Sequence, residues 1–328
     1  MEVSALSEAI VSGDRRALSR AITLVESTRT DHRARAAELL QALAGRGGDA
    51  LRIGLTGTPG VGKSTFTDSF GTMLVAGGHS VAVLAVDPSS SVSGGSILGD
   101  KTRMPRLARA PGTFIRPSPA RAELGGVARR TRDAIALCEA AGYDVILVET
   151  VGVGQSETMV AGMTDIFLLL IAPAGGDELQ GVKRGIMEIA DMIVVNKTDG
   201  ELEPAALRTR ADYAGALRLM RRRPQDPPGF PKAVTVSALN ETGLREAWDD
   251  ITALADWRRN KGILAARRQE QARAWFRHEV EQGLLATLRD DPAVAATMNE
   301  LETAVAQGAL SPEAAAARIV EKFKPAAS

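Results

Sequence analysis

Apolar positions along the chain change their spacing twice, and the changes mark out three regions. Up to about residue 46 the spacing is helical: Leu18, Ala21, Ile22 and Val25 fall at i, i+3, i+4 and i+7, and Leu39, Leu40 and Leu43 form a second stripe. Gly45, Gly47 and Gly48 then interrupt the pattern. Between about 51 and 256, short apolar runs at 53–56, 81–86, 113–115, 145–149, 166–171, 192–196 and 233–236 alternate with helical stretches. That alternation predicts an α/β fold, a doubly wound and mostly parallel sheet with helices on both faces. The run 166–171 is apolar at every position, as a strand buried on both faces requires. Beyond about 257 the strands stop, and Phe276, Val280, Leu284 and Leu288 recur every four residues, with Leu301 and Val305 later. Asp291-Pro292 and Ser311-Pro312 read as helix N-caps, each followed by proline at the first helical position. The expected organisation is an N-terminal helical extension over 1–48, an α/β domain over 49–256 and a C-terminal helical extension over 257–328. Being amphipathic and short, the last must pack on its own core domain or on a second copy of the chain.

Composition narrows the partners. Lys+Arg and Asp+Glu are both 40, so bulk charge gives no case for nucleic acid or an anionic membrane. The longest apolar run, 166–172, is far too short to span a bilayer. Glu2, Glu8 and Asp14 interrupt the opening segment, so no secretory pattern is expected and the cytoplasm is the expected compartment. The single cysteine, Cys138, excludes an intrachain disulfide and reads as an inert thiol packed in a helix.

The chemistry starts at Gly57-Thr58-Pro59-Gly60-Val61-Gly62-Lys63-Ser64-Thr65, between a buried strand and a helix. Glycines let such a turn wrap so that backbone N–H groups converge on phosphate oxygens, and the helix N-terminus adds partial positive charge. Lys63 would reach the β- and γ-phosphates, and the Ser64 hydroxyl would ligate Mg²⁺. After a later strand comes Asn196-Lys197-Thr198-Asp199. A carboxylate there can accept from the N1–H and 2-amino group of guanine, whereas adenine offers it a lone pair. Asn196 would hold the loop and reach the purine edge, and the Lys197 stem would lie along the base. Ser237-Ala238-Leu239, after the last strand, either adds a backbone N–H for guanine O6 or is an ordinary strand-to-helix turn.

Acidic strand ends form a third group. Asp87 and Glu149 each place a carboxylate where Mg²⁺ would sit, directly or through water, and Asp100 is a further candidate. Helix capping or turn chemistry is the alternative for Asp87 and Glu149. The Gly152 amide can meet the γ-phosphate. The stretch 175–184, with Gln180 and Lys183, is either a nucleotide-sensing or partner-contacting loop, or a loop entering a helix near Leu179. Residues 88–126 are too long for an ordinary connection. Arg221-Arg222-Arg223 opens what reads as an exposed, solvated basic loop.

The chain resembles the MeaB/ArgK family of P-loop GTPases. The resemblance rests on the phosphate loop, Ala85-Val86-Asp87-Pro88-Ser89-Ser90, the run from Gly94 to Met104, and Phe114-Ile115-Arg116-Pro117-Ser118-Pro119. It also rests on Val148-Glu149-Thr150-Val151-Gly152-Val153-Gly154-Gln155-Ser156-Glu157 and Gly176-Asp177-Glu178-Leu179-Gln180-Gly181. The resemblance implies Mg²⁺ at Ser64, Asp87, Asp100 and Glu149, and a switch loop with Gln180 and Lys183 as responders; Lys63, by stabilising charge on the transferring phosphoryl group, and Glu149, through the Mg²⁺ shell, are the catalytic candidates. It further implies homodimer contacts through the C-terminal helices. The implied partner is an adenosylcobalamin-dependent acyl-CoA mutase of the methylmalonyl-CoA type, served by a chaperone that gates cofactor loading and protects or reactivates it. Kinase activity on a transport-system binding protein, a label this family has carried, is the alternative. Ala120-Arg121-Ala122-Glu123 departs from the family pattern, which bears on partner choice.

Overall fold

The computed structural model describes residues 2–86, 103–117, 124–150, 156–173, 184–220 and 223–323. Strands β1 (Leu51–Thr56), β2 (Val81–Val86), β3 (Thr113–Arg116), β4 (Val145–Thr150), β5 (Ile166–Ile171), β6 (Met192–Val195) and β7 (Lys232–Thr235) form one sheet in the order β3-β2-β4-β1-β5-β6-β7. Every neighbouring pair is parallel. Each run read as a strand from the sequence is a strand here, displaced by at most two residues at either end.

β1 sits between β4 and β5, and its side chains alternate between the two faces. Leu51, Ile53 and Leu55 join a core completed by Phe66, Phe70 and Leu74 of α4 (Lys63–Ala76) and by Trp248, Ile251 and Leu254 of α9 (Leu244–Asn260). Phe66 stacks on Phe70 at 5.0 Å, and Phe70 meets Trp248 edge-on at 6.0 Å. Burial of each such side chain stabilises the fold by about 1.5–3 kcal/mol. Elsewhere α5 (Leu124–Ala140) packs on β2, α6 (Ser156–Ala161) packs on β1 and β4, and α8 (Glu203–Leu219) packs on β6 and β7. α7 (Arg184–Ile189) precedes β6 and packs against α6.

The N-terminal helices α1 (Val3–Val11), α2 (Arg15–Glu26) and α3 (Thr30–Ala42) form a layer on α5. Asp14 caps α2 by accepting from the Arg16 and Ala17 amides at 2.7 and 3.2 Å. Leu18, Ala21, Ile22 and Val25 are buried, which is the face their spacing predicted. Arg116, at the end of β3, donates to Glu26 Oε1 at 3.1 Å and so ties α2 to the sheet edge. Cys138 is free and buried, and burial pushes its thiol far above the ordinary range.

Packing divides the chain into two compact units, residues 1–267 and 268–328. α10 (Ile263–Asp290) spans the division. In the second unit α11 (Pro292–Ala306) is capped by Asp291, and α12 (Pro312–Phe323) starts where Ser311 Oγ accepts from the Ala314 amide at 3.2 Å. Both are the cap-then-proline starts read from the sequence.

One buried ionic cluster corrects the sequence reading. Arg223 is not a solvated surface group: its Nε donates to Asp226 Oδ2 at 2.6 Å and its Nη2 to Asp191 Oδ1 at 3.0 Å. Arg258, only 1% exposed, donates to the same Asp191 Oδ1 at 2.6 Å, to Asp226 Oδ1 at 2.5 Å and to the Asp165 carbonyl at 3.0 Å. Burial on its own would raise the Asp191 carboxyl, but Arg258 beside it, with Arg267 and Arg223, holds it below the ordinary range. Two further bonds reach helix ends. Arg267 Nη2 donates to the Ala161 carbonyl that ends α6 (3.0 Å), and Arg223 Nη1 to the Ile189 carbonyl that ends α7 (3.4 Å). Arg221 and Arg222 lie outside the described residues.

Candidate functional site

The phosphate-loop sequence occupies the carboxyl end of β1, in the crevice where an open parallel sheet receives ligands. Gly57 has φ +156, and a Cβ on it would come within 2.3 Å of the Leu170 carbonyl oxygen. Gly62 has φ +89, and a Cβ there would meet Asn196 Nδ2 at 2.7 Å. Both positions therefore require glycine. Thr58, Pro59 and Gly60 form the exposed rim of the turn, and Val61 is buried beneath it. The first backbone bond of α4 runs from the Phe66 amide to the Gly62 carbonyl at 2.9 Å. The amides of Lys63, Ser64 and Thr65 stand ahead of that ladder, so their N–H groups are open to an anion.

Lys63 folds back onto its own loop, with Nζ donating to the carbonyls of Gly57 (2.6 Å) and Thr58 (3.2 Å). Burial pulls its ammonium below the ordinary lysine range, and the charges of Glu149 and Glu157 oppose that pull. Glu149, 3% exposed at the end of β4, lies 3.4 Å from Ser64 Oγ and accepts from Thr67 Oγ1 at 3.0 Å. One threonine pair, Thr56 and Thr150, joins the ends of β1 and β4 through their hydroxyls at 3.0 Å.

The second motif reaches the same place. Asn196 Nδ2 donates to the Val61 carbonyl at 2.9 Å and lies 3.5 Å from that of Gly62, while its Oδ1 accepts from the Ala238 amide at 3.1 Å. Lys197, in the left-handed region at φ +60, donates from Nζ to the Gly60 carbonyl at 2.7 Å. Asp199 accepts from Ser237 Oγ, which in turn accepts from the Asn240 amide at 3.1 Å. Leu239 projects into solvent, and no partner is recorded for its amide among the described residues. Side chains and carbonyls 135 residues apart in sequence, as with Asn196 and Val61, are thus joined directly.

Asp87, Asp100, Gly152, Gln180 and Lys183 lie outside the described residues. Two side chains that sequence reading passed over do belong to the site: Thr67 and Ser69, both buried in α4 and bonded to Glu149 and to the Ala238 carbonyl. The sequence carried no signal that separates them: their burial, continuous from Phe66 to Gly71, comes only with the structure. A cleft of about 1290 Å³ opens between α7, α8 and the 223–233 segment, but none of the phosphate-loop or base-reading residues lines it. A site built from backbone amides on a turn needs no deep cavity.

Fold and site together define a P-loop nucleotide hydrolase of the GTPase class. The profile of the family described as "Methylmalonyl Co-A mutase-associated GTPase MeaB" matches residues 18–293. The chain is 51% identical over 324 residues to a "Putative GTPase" of Caulobacter vibrioides, with 98% of each chain covered. It is 47% identical to the mouse "Methylmalonic aciduria type A homolog, mitochondrial", covering 98% of this chain and 80% of that one. A solved structure described as "Crystal structure of LAO/AO transport system kinase" superposes with TM-score 0.75 at 38% identity, over 98% of both chains. The chain belongs to the MeaB family of GTPases. Among the described residues no helix is long and apolar enough to cross a membrane.

Proposed function

We propose that this GTPase binds GTP with Mg²⁺ in the joined site and uses hydrolysis to time its action as chaperone of an adenosylcobalamin-dependent acyl-CoA mutase. The observation that carries the nucleotide reading is the Asn196 amide, which fastens the phosphate loop to the Ala238 turn and so unites phosphate and base recognition. Asp199 takes the N1–H and 2-amino group of guanine, the Lys197 stem lies on the base, and the Ser237-Ala238-Leu239 turn faces O6. With the Ala238 amide already given to Asn196, the Leu239 N–H is the donor left for that oxygen.

Lys63 exchanges its two loop carbonyls for β- and γ-phosphate oxygens, and the amides from Gly60 to Thr65 wrap the anion. A hydroxyl and a buried carboxylate 3.4 Å apart, both hard oxygen donors, suit Mg²⁺. Bound Mg²⁺ would neutralise charge on the transferring phosphoryl group. Ser64 and Glu149 hold it, joined by Asp87 and Asp100 as the family resemblance implies, with Gly152 at the γ-phosphate and Gln180 and Lys183 as responders.

The mutase reading is supported by the family description. Homodimer formation through residues 257–328 is supported by Phe276, Val280 and Leu284, exposed at four-residue spacing on α10. The buried Cys138 suits a reducing, cytoplasmic setting. Co-purification with an adenosylcobalamin mutase, compared between GDP and a non-hydrolysable GTP analogue, tests the proposal, and no association in either state would overturn the chaperone role. Phosphorylation of a transport binding protein rests on the description of the superposed structure. Label from γ-labelled GTP appearing on such a protein, rather than as free phosphate, would favour it.

A further inference from the structure

Three consecutive side chains in the second turn of α4 point in three directions, and each grips a different segment of the chain. Thr67 Oγ1 lies 3.0 Å from Glu149 Oε2 and 3.0 Å from the Lys63 carbonyl, so its one proton serves both acceptors. Asp68 Oδ1 accepts from the Leu107 amide at 2.8 Å, anchoring the 3-10 turn Leu107–Arg109 that leads into β3. Ser69 Oγ donates to the Ala238 carbonyl at 2.7 Å. Exposures are 0%, 7% and 4%, so these bonds are made in a dry interior where a missing partner is costly. Successive helical residues are separated by about 100°, which is why neighbours in sequence reach separate segments.

We infer that Thr67 and Ser69 are positioning residues with separate tasks: Thr67 aims the Glu149 carboxylate at the metal, and Ser69 sets the base-reading turn. The helix between them acts as a rigid spacer. On the α4 side Glu149 takes the Thr67 hydroxyl at 3.0 Å, while the Ser64 hydroxyl, 3.4 Å away, would turn towards the metal when one binds. The Ala238 turn is held from two sides, its amide by Asn196 and its carbonyl by Ser69, and the same turn carries the Ser237 hydroxyl that orients Asp199. The two tasks predict two separable defects.

This inference rests on the guanine nucleotide and Mg²⁺ reading proposed above. The test measures two affinity ratios in the full-length chain by displacement of a fluorescent GDP. The metal ratio compares GDP binding with Mg²⁺ and with EDTA, and the base ratio compares ADP with GDP in Mg²⁺. Because each ratio is taken within one variant, loss of folded material changes neither. Thr67→Val is expected to cut the metal ratio about tenfold, the worth of one buried charge-assisted bond, and to leave the base ratio alone. Thr67→Ser, which keeps the hydroxyl, restores it. Ser69→Ala is expected to narrow the base ratio by a similar factor and to spare the metal ratio. Should Thr67→Val or Ser69→Ala fail to fold, Thr67→Ala and Ser69→Cys, whose thiol is a weak donor, take their places and must lower the same ratio. Hydroxyl-removing variants that shift both ratios together, or neither, overturn the inference. A wild-type chain with no Mg²⁺ increment or no preference for GDP would instead sink the underlying nucleotide reading.

Discussion

Replacing Asp199 with asparagine tests base recognition at a single atom. In the structure Ser237 Oγ already accepts from the Asn240 amide, which directs its proton towards Asp199 Oδ2. The substituted amide would place its oxygen at that proton, leaving its nitrogen to face the purine edge. Guanine presents two donors there, so one charge-assisted bond is lost, about 1.5–3 kcal/mol, and a donor is set against a donor, about 1–3 kcal/mol more. The sum, about 2.5–6 kcal/mol, is a loss of about two to four orders of magnitude in GDP affinity. Xanthine carries an oxygen where guanine carries its 2-amino group, so the amide nitrogen regains an acceptor. Calorimetric titration of Asp199→Asn with GDP and with xanthosine diphosphate should therefore show a reversal of preference. Undiminished GDP affinity, or a loss with no gain for xanthosine diphosphate, would refute the reasoning.

Three further outcomes are expected. Arg258→Met strips a buried guanidinium from two carboxylates and leaves Arg223 as their shared partner; urea denaturation should report a loss of about 3–4 kcal/mol, and a loss under about 1 kcal/mol would contradict the ionic cluster. The folded Asp191 carboxyl titrates below its ordinary value of 3.8, so on acidification the unfolded chain binds that proton first. Its contribution is complete above about pH 5 and is lost as pH falls below about 4 towards the depressed folded value, so wild type should lose urea stability more steeply between about pH 5 and 3 than Asp191→Asn. Gly62→Ala forces a left-handed alanine, about 1–2 kcal/mol, and pushes Asn196 off the Val61 carbonyl. GDP titration should show at least a tenfold weaker affinity.

Local pattern made most of the fold legible. The all-apolar strand β5 and the cap-proline starts of α11 and α12 are set by residues that act on their own neighbourhood. The phosphate loop is legible from its local motif, although Gly57 and Gly62 are also required by their distant neighbours Leu170 and Asn196. What stayed hidden depends on partners far off in sequence. Arg223 reads as one more surface arginine until Asp191 and Arg258 are placed beside it. Ser69 is one hydroxyl among several on α4 until the Ala238 carbonyl, 169 positions away, comes within reach. For Asn196, chain order gave the neighbourhood, while the engagement of both ends of its amide came only with the structure.

Arg267 and Arg223 clamp the last carbonyls of α6 and α7, and both arginines belong to one charged cage at the rim of the sheet remote from the phosphates. Both short helices, six residues each, therefore have their tails fixed to one ionic cluster, so a substitution in that cluster loosens two helix ends at once.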